Sequence, residues 1–357
     1  MKTAIFFLLT LTLLSACARR MEKKPTFIKG VYGNPGTLLE HGYAFDSLGM
    51  NAVFVRSVSL NQQLYTTARE QGCKVFVEFP TLLGKEYLQQ HPEAWPINEK
   101  GEQSPPADWH MGICPTDSAF RAYRADQLRQ LLGQFDVDGI FLDYVHWHAQ
   151  FETTEPILPE TCFCDRCTGL FARHTGIAIP EGKIEVKAGW ILQHADKDWR
   201  SWRSGILTGW VKDMGDIVRE TRPNAVRGVY YCAWYPDDYD SALYRTLGID
   251  VTALAAHADV LAPMLFHRMM GRSTEWVGEY VQWLGKLTDS AKPGSPRIWP
   301  IVQSHNTSVV VTPEEFRRVL VEGSRAPSSG VMMFSDQSLL QDTAKIRVMR
   351  EVFAGSQ

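Results

Sequence analysis

The chain has 357 residues, 45% of them apolar, a formal net charge of -3 at pH 7 and 11 tryptophans. That is enough material for one large domain or two ordinary ones. The near-neutral balance, with no basic run, argues against nucleic acid as a partner. Gly and Pro are scattered and no low-complexity block interrupts the chain, so no interdomain linker is expected.

The N-terminus "MKTAIFFLLTLTLLSAC" carries Lys2, an apolar run from Ala4 to Leu14 and small residues before Cys17. This is the pattern of a secretory signal, and the run is too short to span a bilayer permanently. Its ending, Leu14-Ser15-Ala16-Cys17, resembles a bacterial lipobox. The resemblance implies a signal peptide over 1–16, lipidation of Cys17, a charged tether over 17–25 and a place in the bacterial cell envelope, with the membrane contacted only through the lipid. Plain signal cleavage is the alternative. Residues 26–357 then form the body.

Along that body, eight short apolar runs alternate with helix-like segments: "FIKGVY", "AVFVRS", "KVFVEF", "GIFLDYV", "RGVYYCAW", "DVLAPMLF", "RIWPIVQ" and "GVMMFS". Thr312-Pro313 with Glu314 and Glu315 marks a helix start, while Gly72 and Pro223 mark stops. Eight βα units over this length predict a single (β/α)8 TIM barrel with an extended loop region after strand four. A doubly wound open sheet is the alternative, but it has no need of the last two strands.

In a barrel, chemistry sits in the loops at the C-terminal ends of the strands. Polar residues collect there: Arg56 after strand two, Glu78 on strand three, Asp143 and Tyr144 with His146, Trp147 and His148 at strand four, Asp237 and Asp238 after strand five, His267 after strand six, Gln303 and His305 after strand seven, and Asp336 after strand eight. Carboxylates interleaved with Trp and Tyr suit sugars, and the last two loops lack the glycines of a phosphate site. Trp109, Trp147, Trp234 and Tyr235 are the expected stacking platforms. Trp199, Trp202 and Trp210 share a helix side and are expected in the core.

Glycoside hydrolysis needs two carboxyl groups. Asp143 is the leading candidate because it ends an otherwise apolar strand, where a charge is costly unless paired or facing a site. The second carboxyl lies among Glu78, Asp237, Asp238, Asp336 and Glu152.

The segments "HPEAWPINEKGE", "GICPTDSAFRAY", "VDGIFLDYVHW" and "CFCDRCTGLFARHTG", with "DWRSWRSGILTGWVKDM" beyond them, resemble the barrel family called hypothetical glycosyl hydrolase 6. The main likeness covers about residues 90–175, a quarter of the chain. The strand-four string also resembles the DGxDxDxE pattern of family 18 chitinases, but Val145 stands where their glutamate would be. In its cysteines the chain is similar to family 42 β-galactosidases, whose Asn-Glu pair at the end of strand four is missing.

Cys114 lies after strand three and Cys162, Cys164 and Cys167 after strand four, so neighbouring loops can bring four thiols together on one face. A C-x-C-x-x-C run suits a tetrahedral zinc better than disulfides. The family 42 resemblance implies zinc on these four residues. Four sulfurs leave no open position, so the ion would be structural; two disulfides are the alternative. Cys73 and Cys232 read as buried free thiols.

The expected protein is an enzyme of the bacterial surface that cleaves a polysaccharide or oligosaccharide, without an organic cofactor. A glycan-binding protein of the same fold, and a metal-dependent deacetylase using His146 and His148, are the alternatives.

Overall fold

The computed structural model describes residues 26–106, 110–307 and 309–355. The expected signal peptide, Cys17, the tether and Trp109 lie outside them.

Each apolar run becomes a parallel strand: β1 (Ile28–Gly33), β2 (Ala52–Arg56), β3 (Lys74–Pro80), β4 (Gly139–Asp143), β5 (Val226–Cys232) and β6 (Val260–Leu265). The seventh run is split into β7 (Arg297–Ile298) and β8 (Ile301–Gln303), and the eighth is β9 (Gly330–Phe334). The split falls at Trp299-Pro300, where proline has no N–H to donate. The ladder nevertheless continues across it, because Trp299 N–H donates to Leu261 O at 3.0 Å and Met332 N–H donates to Pro300 O at 3.0 Å. β7 and β8 therefore fill one barrel position.

β1 pairs with β2 on one side and β9 on the other, and β5 pairs with both β4 and β6. The sheet closes on itself, which makes it an eight-position (β/α)8 barrel and excludes the open doubly wound sheet.

Closure leaves an interior that side chains must fill. Phe54, Phe76, Phe141 and Trp299 do so: the Phe54 and Phe76 rings stack at 4.9 Å, and Trp299 meets Phe54 at 6.2 Å and Phe141 at 5.8 Å. Rings this large need gaps opposite them. Gly228 supplies one, since a Cβ there would stand 2.2 Å from the Phe141 ring. Above this plug, inward-facing residues at the strand ends open toward the C-terminal mouth.

The connection from β4 to β5 is the expected long one, holding helices Asp165–Thr175, Ile184–His194 and Asp196–Thr221. Trp199, Trp202 and Trp210 are buried on the last of these. Trp199 stacks on Phe163 at 4.9 Å, and Trp210 Nε1 donates to Pro115 O at 2.8 Å, so the helix grips the loops that follow β3 and β4. The helix Pro313–Gly323 starts with a capping box between Thr312 and Glu315. No helix of the described residues is long and apolar enough to cross a membrane.

Gly228→Ala is expected to push Phe141 out of place and cost about 1–3 kcal/mol in urea unfolding. Gly133→Ala, where an added Cβ meets nothing within 4 Å, should be neutral or stabilising by up to about 1 kcal/mol.

Candidate active site

The inward parity of the strands brings Tyr32 from β1, Arg56 from β2, Glu78 from β3, Asp143 from β4 and Tyr230 from β5 to the mouth. Asp143, 6% exposed, is held as a carboxylate from two sides: Tyr144 N–H donates to Oδ1 at 2.8 Å, and the Tyr32 hydroxyl donates to Oδ2 at 3.1 Å. Tyr144 reaches this position with φ of 54°, a left-handed conformation that costs a bulky residue about 1–2 kcal/mol. Strain at this residue aims its amide at the carboxylate.

Burial dominates the electrostatics. It lifts the Asp143 pKa to about 6, against the pull of the Tyr144 amide, the Tyr32 hydroxyl and the Arg56 charge. Glu78, 4% exposed, is lifted further, to about 8, by burial and by the negative charge of Asp143, with Arg56 and Arg124 opposing. Glu152, partly exposed on the loop after β4, is also raised to about 8, by burial of its carboxyl and by Asp143, with Arg56 opposing. Near neutral pH the mouth thus holds one ionised carboxylate and two carboxyl groups that keep their protons.

Arg56 is the direct register neighbour of Glu78, yet among the described residues no ion pair within 4.0 Å joins it to Glu78 or Asp143. Its guanidinium lies 5.7 Å from the Phe334 ring centre instead. Tyr230 is 1% exposed and its hydroxyl has no hydrogen-bond partner among the described residues. Burial and the charges of Asp143 and Glu78 push its pKa well up, so it remains a neutral donor facing the carboxyls.

Beside the carboxyls lies a stack of three histidines. His110 sits 5.5 Å from Tyr144, 5.2 Å from His146 and 5.5 Å from His148 between ring centres. All three are buried, and burial lowers their pKa values, to about 2 for His110 and about 4 for His146, so the stack is uncharged. His146 Nδ1 donates to Trp147 O at 2.8 Å. His148 Nδ1 accepts from Gly112 N–H at 3.2 Å, which leaves the proton on Nε2 to donate to Pro105 O at 3.0 Å. With both nitrogens committed, His148 has no lone pair for a metal, and the deacetylase alternative loses its ligand pair.

Several expected contacts lie elsewhere. Trp147 is wholly buried, donates through Nε1 to Arg203 O at 3.1 Å and lies under the Arg203 guanidinium, so it packs the shell and cannot stack on a sugar. Trp234, 1% exposed, is covered by Tyr239 at 4.4 Å, and Tyr235 packs outward against Tyr280 and Trp283. Asp238 accepts from Tyr235 N–H at 2.8 Å and pairs with Arg272 at 2.6 Å, while Asp237 is exposed beside it. These two shape the loop after β5.

Asp336 accepts from Asn34 N–H at 2.8 Å and Thr37 Oγ1 at 2.6 Å, which fastens the end of β9 to the turn after β1. Gln303 Oε1 accepts from Arg268 N–H at 2.9 Å and Met269 N–H at 3.2 Å, pinning the loop after β6. His267 and His305 are buried near one another, both with pKa values lowered to about 4, chiefly by burial.

The sulfurs of Cys114, Cys162, Cys164 and Cys167 all lie within 4.8 Å of one another, and these residues form no disulfide. Cys114 Sγ is 3.3 Å from Cys167 Sγ and 3.9 Å from Cys164 Sγ. Four thiolates around one tetrahedral ion stand about 3.8 Å apart, so the cluster could hold a metal. Ile97 N–H points at Cys162 Sγ at 3.3 Å, as an amide does toward a thiolate. The cluster lies in the loops after β3 and β4, apart from the carboxyls, and all four positions of a tetrahedral ion would be taken by sulfur.

No family model matches this sequence, and no curated protein is significantly similar to it. Solved structures do share its fold. The glycoside hydrolase domain of PgaB (BpsB) from Bordetella bronchiseptica matches with a TM-score of 0.68 at 12% identity, covering 92% of this chain and 99% of that one. The β-galactosidase of the psychrophilic Marinomonas ef1 matches with a TM-score of 0.67 at 11% identity, over 92% of this chain and 59% of its own length. Gan42B, a GH42 β-galactosidase from G. stearothermophilus, matches in a catalytic mutant with a TM-score of 0.63 at 14% identity, over 93% and 57%. At such identities the likeness is one of fold.

The raised Glu78 pKa has a consequence for stability. The folded protein keeps this proton up to about pH 8, whereas an unfolded glutamate releases it near pH 4.3, so stability falls as pH rises between these values. Glu78→Gln, which mimics the protonated form, is expected to match wild type at pH 5 and exceed it by roughly 1–3 kcal/mol at pH 8.5 in urea unfolding.

Proposed function

We propose that this protein is a glycoside hydrolase in which Asp143 is the ionised carboxylate and Glu152 the proton donor. The observation that carries this reading is the convergence of Asp143 and Glu78 on neighbouring strand ends at the barrel mouth, with Glu152 near enough to feel the Asp143 charge and all three pKa values raised by burial. The glycosidase folds among the structural neighbours support the same chemistry.

Bond cleavage at an anomeric carbon needs a base or nucleophile on one side and an acid at the leaving oxygen. Asp143 suits the first role, because the Tyr144 amide and Tyr32 hydroxyl fix its orientation and favour its charge. For the second, the acid must be reachable by the glycosidic oxygen. Glu78 is fixed on a strand deep in the mouth, whereas Glu152, its carboxyl turned inward, belongs to a partly exposed residue of the loop after β4 and responds to the Asp143 charge. Glu78, by staying neutral, leaves Asp143 as the single negative charge deep in the site. The unpartnered Tyr230 hydroxyl and the Arg56 guanidinium are the donors available to sugar hydroxyls.

The four-cysteine cluster is assigned to structural zinc, the ion best matched to four thiolates. Its chemistry is to neutralise and hold those thiolates, and so fasten together the loops after β3 and β4. The lipobox-like ending at Cys17 supports anchoring at the bacterial envelope.

Three outcomes follow. On a panel of oligosaccharides, Asp143→Asn is expected to lower kcat/KM roughly a thousandfold while remaining folded. Wild-type kcat/KM should rise through about pH 6 and fall through about pH 8 as Asp143 ionises and Glu152 loses its proton, and Glu152→Gln should lose the alkaline limb yet retain activity on aryl glycosides with good leaving groups. Retention of a glycan by all three proteins without product would overturn the hydrolase reading in favour of binding alone. Elemental analysis should find zinc on the purified protein, and Cys164→Ser or strong chelation should lower the melting temperature by several degrees.

A further inference from the structure

A second cavity of about 400 Å3 opens beside the carboxyl mouth, lined by Asn34, Arg56, His305, Asn306, Phe334 and Gln341 among others. It lies over the ends of β1, β2, β8 and β9. Arg56 and Phe334 belong to its wall and to the mouth alike, so the two spaces adjoin.

The polar inventory of this cavity is one-sided. His305 is 7% exposed, and its Nδ1 accepts from Thr307 N–H at 3.3 Å, which places the proton on Nε2. Among the described residues that Nε2–H has no acceptor. Arg56 contributes a guanidinium with no carboxylate within ion-pair distance among the described residues. Behind the wall, the fully buried Lys345 spends its Nζ on two neutral acceptors, Ser304 O at 2.7 Å and Asn306 Oδ1 at 3.0 Å. The one carboxylate in the lining among the described residues, Asp336, has both oxygens engaged by Asn34 N–H and Thr37 Oγ1. The cavity therefore presents an unpaired N–H donor and a guanidinium, while its carboxylate and the Asn306 amide oxygen are already engaged.

A neutral sugar has no need of a guanidinium left without a carboxylate partner. A buried donor left without an acceptor costs free energy until a ligand supplies one, and a planar guanidinium matches the two oxygens of a carboxylate. We propose that this cavity is a subsite for the carboxylate of an acidic sugar, a hexuronate unit of the glycan whose neighbouring bond lies at Asp143. The proposal rests on the glycosidase reading of the mouth for its placement, but the recognition it describes is a matter of binding.

The test is binding, by titration calorimetry, of hexuronate oligosaccharides, each paired with its carboxyl-reduced neutral counterpart. Wild type is expected to bind at least one acidic member about tenfold more tightly than its neutral twin, with the preference falling as salt rises. Gln341→Glu adds a negative charge at the exposed side of the cavity lining, and should abolish that preference. His305→Phe, which keeps the ring and removes the donor, should reduce it several-fold. Equal binding of acidic and neutral twins throughout, or a preference indifferent to Gln341→Glu, would overturn the proposal. Hydrolysis read in parallel separates the two readings. Cleavage lost in Asp143→Asn with no acid preference removes the subsite alone, and an acid preference erased by Gln341→Glu with no cleavage of any substrate removes the hydrolase alone.

Discussion

Filling the closed barrel with aromatic rings is the constraint on which the remaining structure depends. Phe54, Phe76, Phe141 and Trp299 occupy the interior as a dry plug, and Gly228 gives way so that Phe141 can lie flat within it. Any side chain above the plug has only the C-terminal mouth to face. Arg56, Glu78, Asp143, Tyr32 and Tyr230 are brought together by this geometry, and the same floor withholds water from beneath them. The raised carboxyl pKa values are a direct result, since desolvation is the first cause at Asp143, Glu78 and Glu152.

The second level of organisation lies in the loops. The segments after β3 and β4 are long, and backbone hydrogen bonds together with buried side chains hold their shape. Cys114 N–H donates to Ala94 O at 2.9 Å and Phe163 N–H to Ile97 O at 2.8 Å, so both strands of the cysteine cluster are tied to the same short turn. The neutral histidine stack fills the gap between this wall and Tyr144.

Strand periodicity made much of this legible. Eight apolar runs at βα spacing are enough to specify the barrel, and Asp143 and Glu78 stand out as carboxyls on strands otherwise apolar. The meeting of Cys114 with the C-x-C-x-x-C run follows from loops that share a face. Tyr32 and Tyr230 were missed, although inward parity could have found them, each two residues beyond a small inward glycine. Trp147 and Trp234 show the limit of the method: a tryptophan in an active-face loop can turn inward as readily as outward, and packing against Arg203 or Tyr239 decides the matter. His110 sits in "ADWHMGIC" with no periodicity around it, so only the folded chain reveals its place against His146 and His148. Glu152, one of several loop acids in the sequence, is singled out by its coupling to Asp143.

The cysteine cluster also bears on the order in which the chain can assemble. Cys114 and Cys167 are 53 residues apart and lie in loops carried by different strands, so their sulfurs meet only after β3 and β4 have paired. Such a contact has a loop-closure cost that local structure cannot offset in advance. The thiols therefore stay separate through early folding and come within reach of one another late. Completion of the cluster thus marks a chain whose loops after β3 and β4 have already docked, and a misdocked chain would leave the four thiols apart and exposed to side reactions.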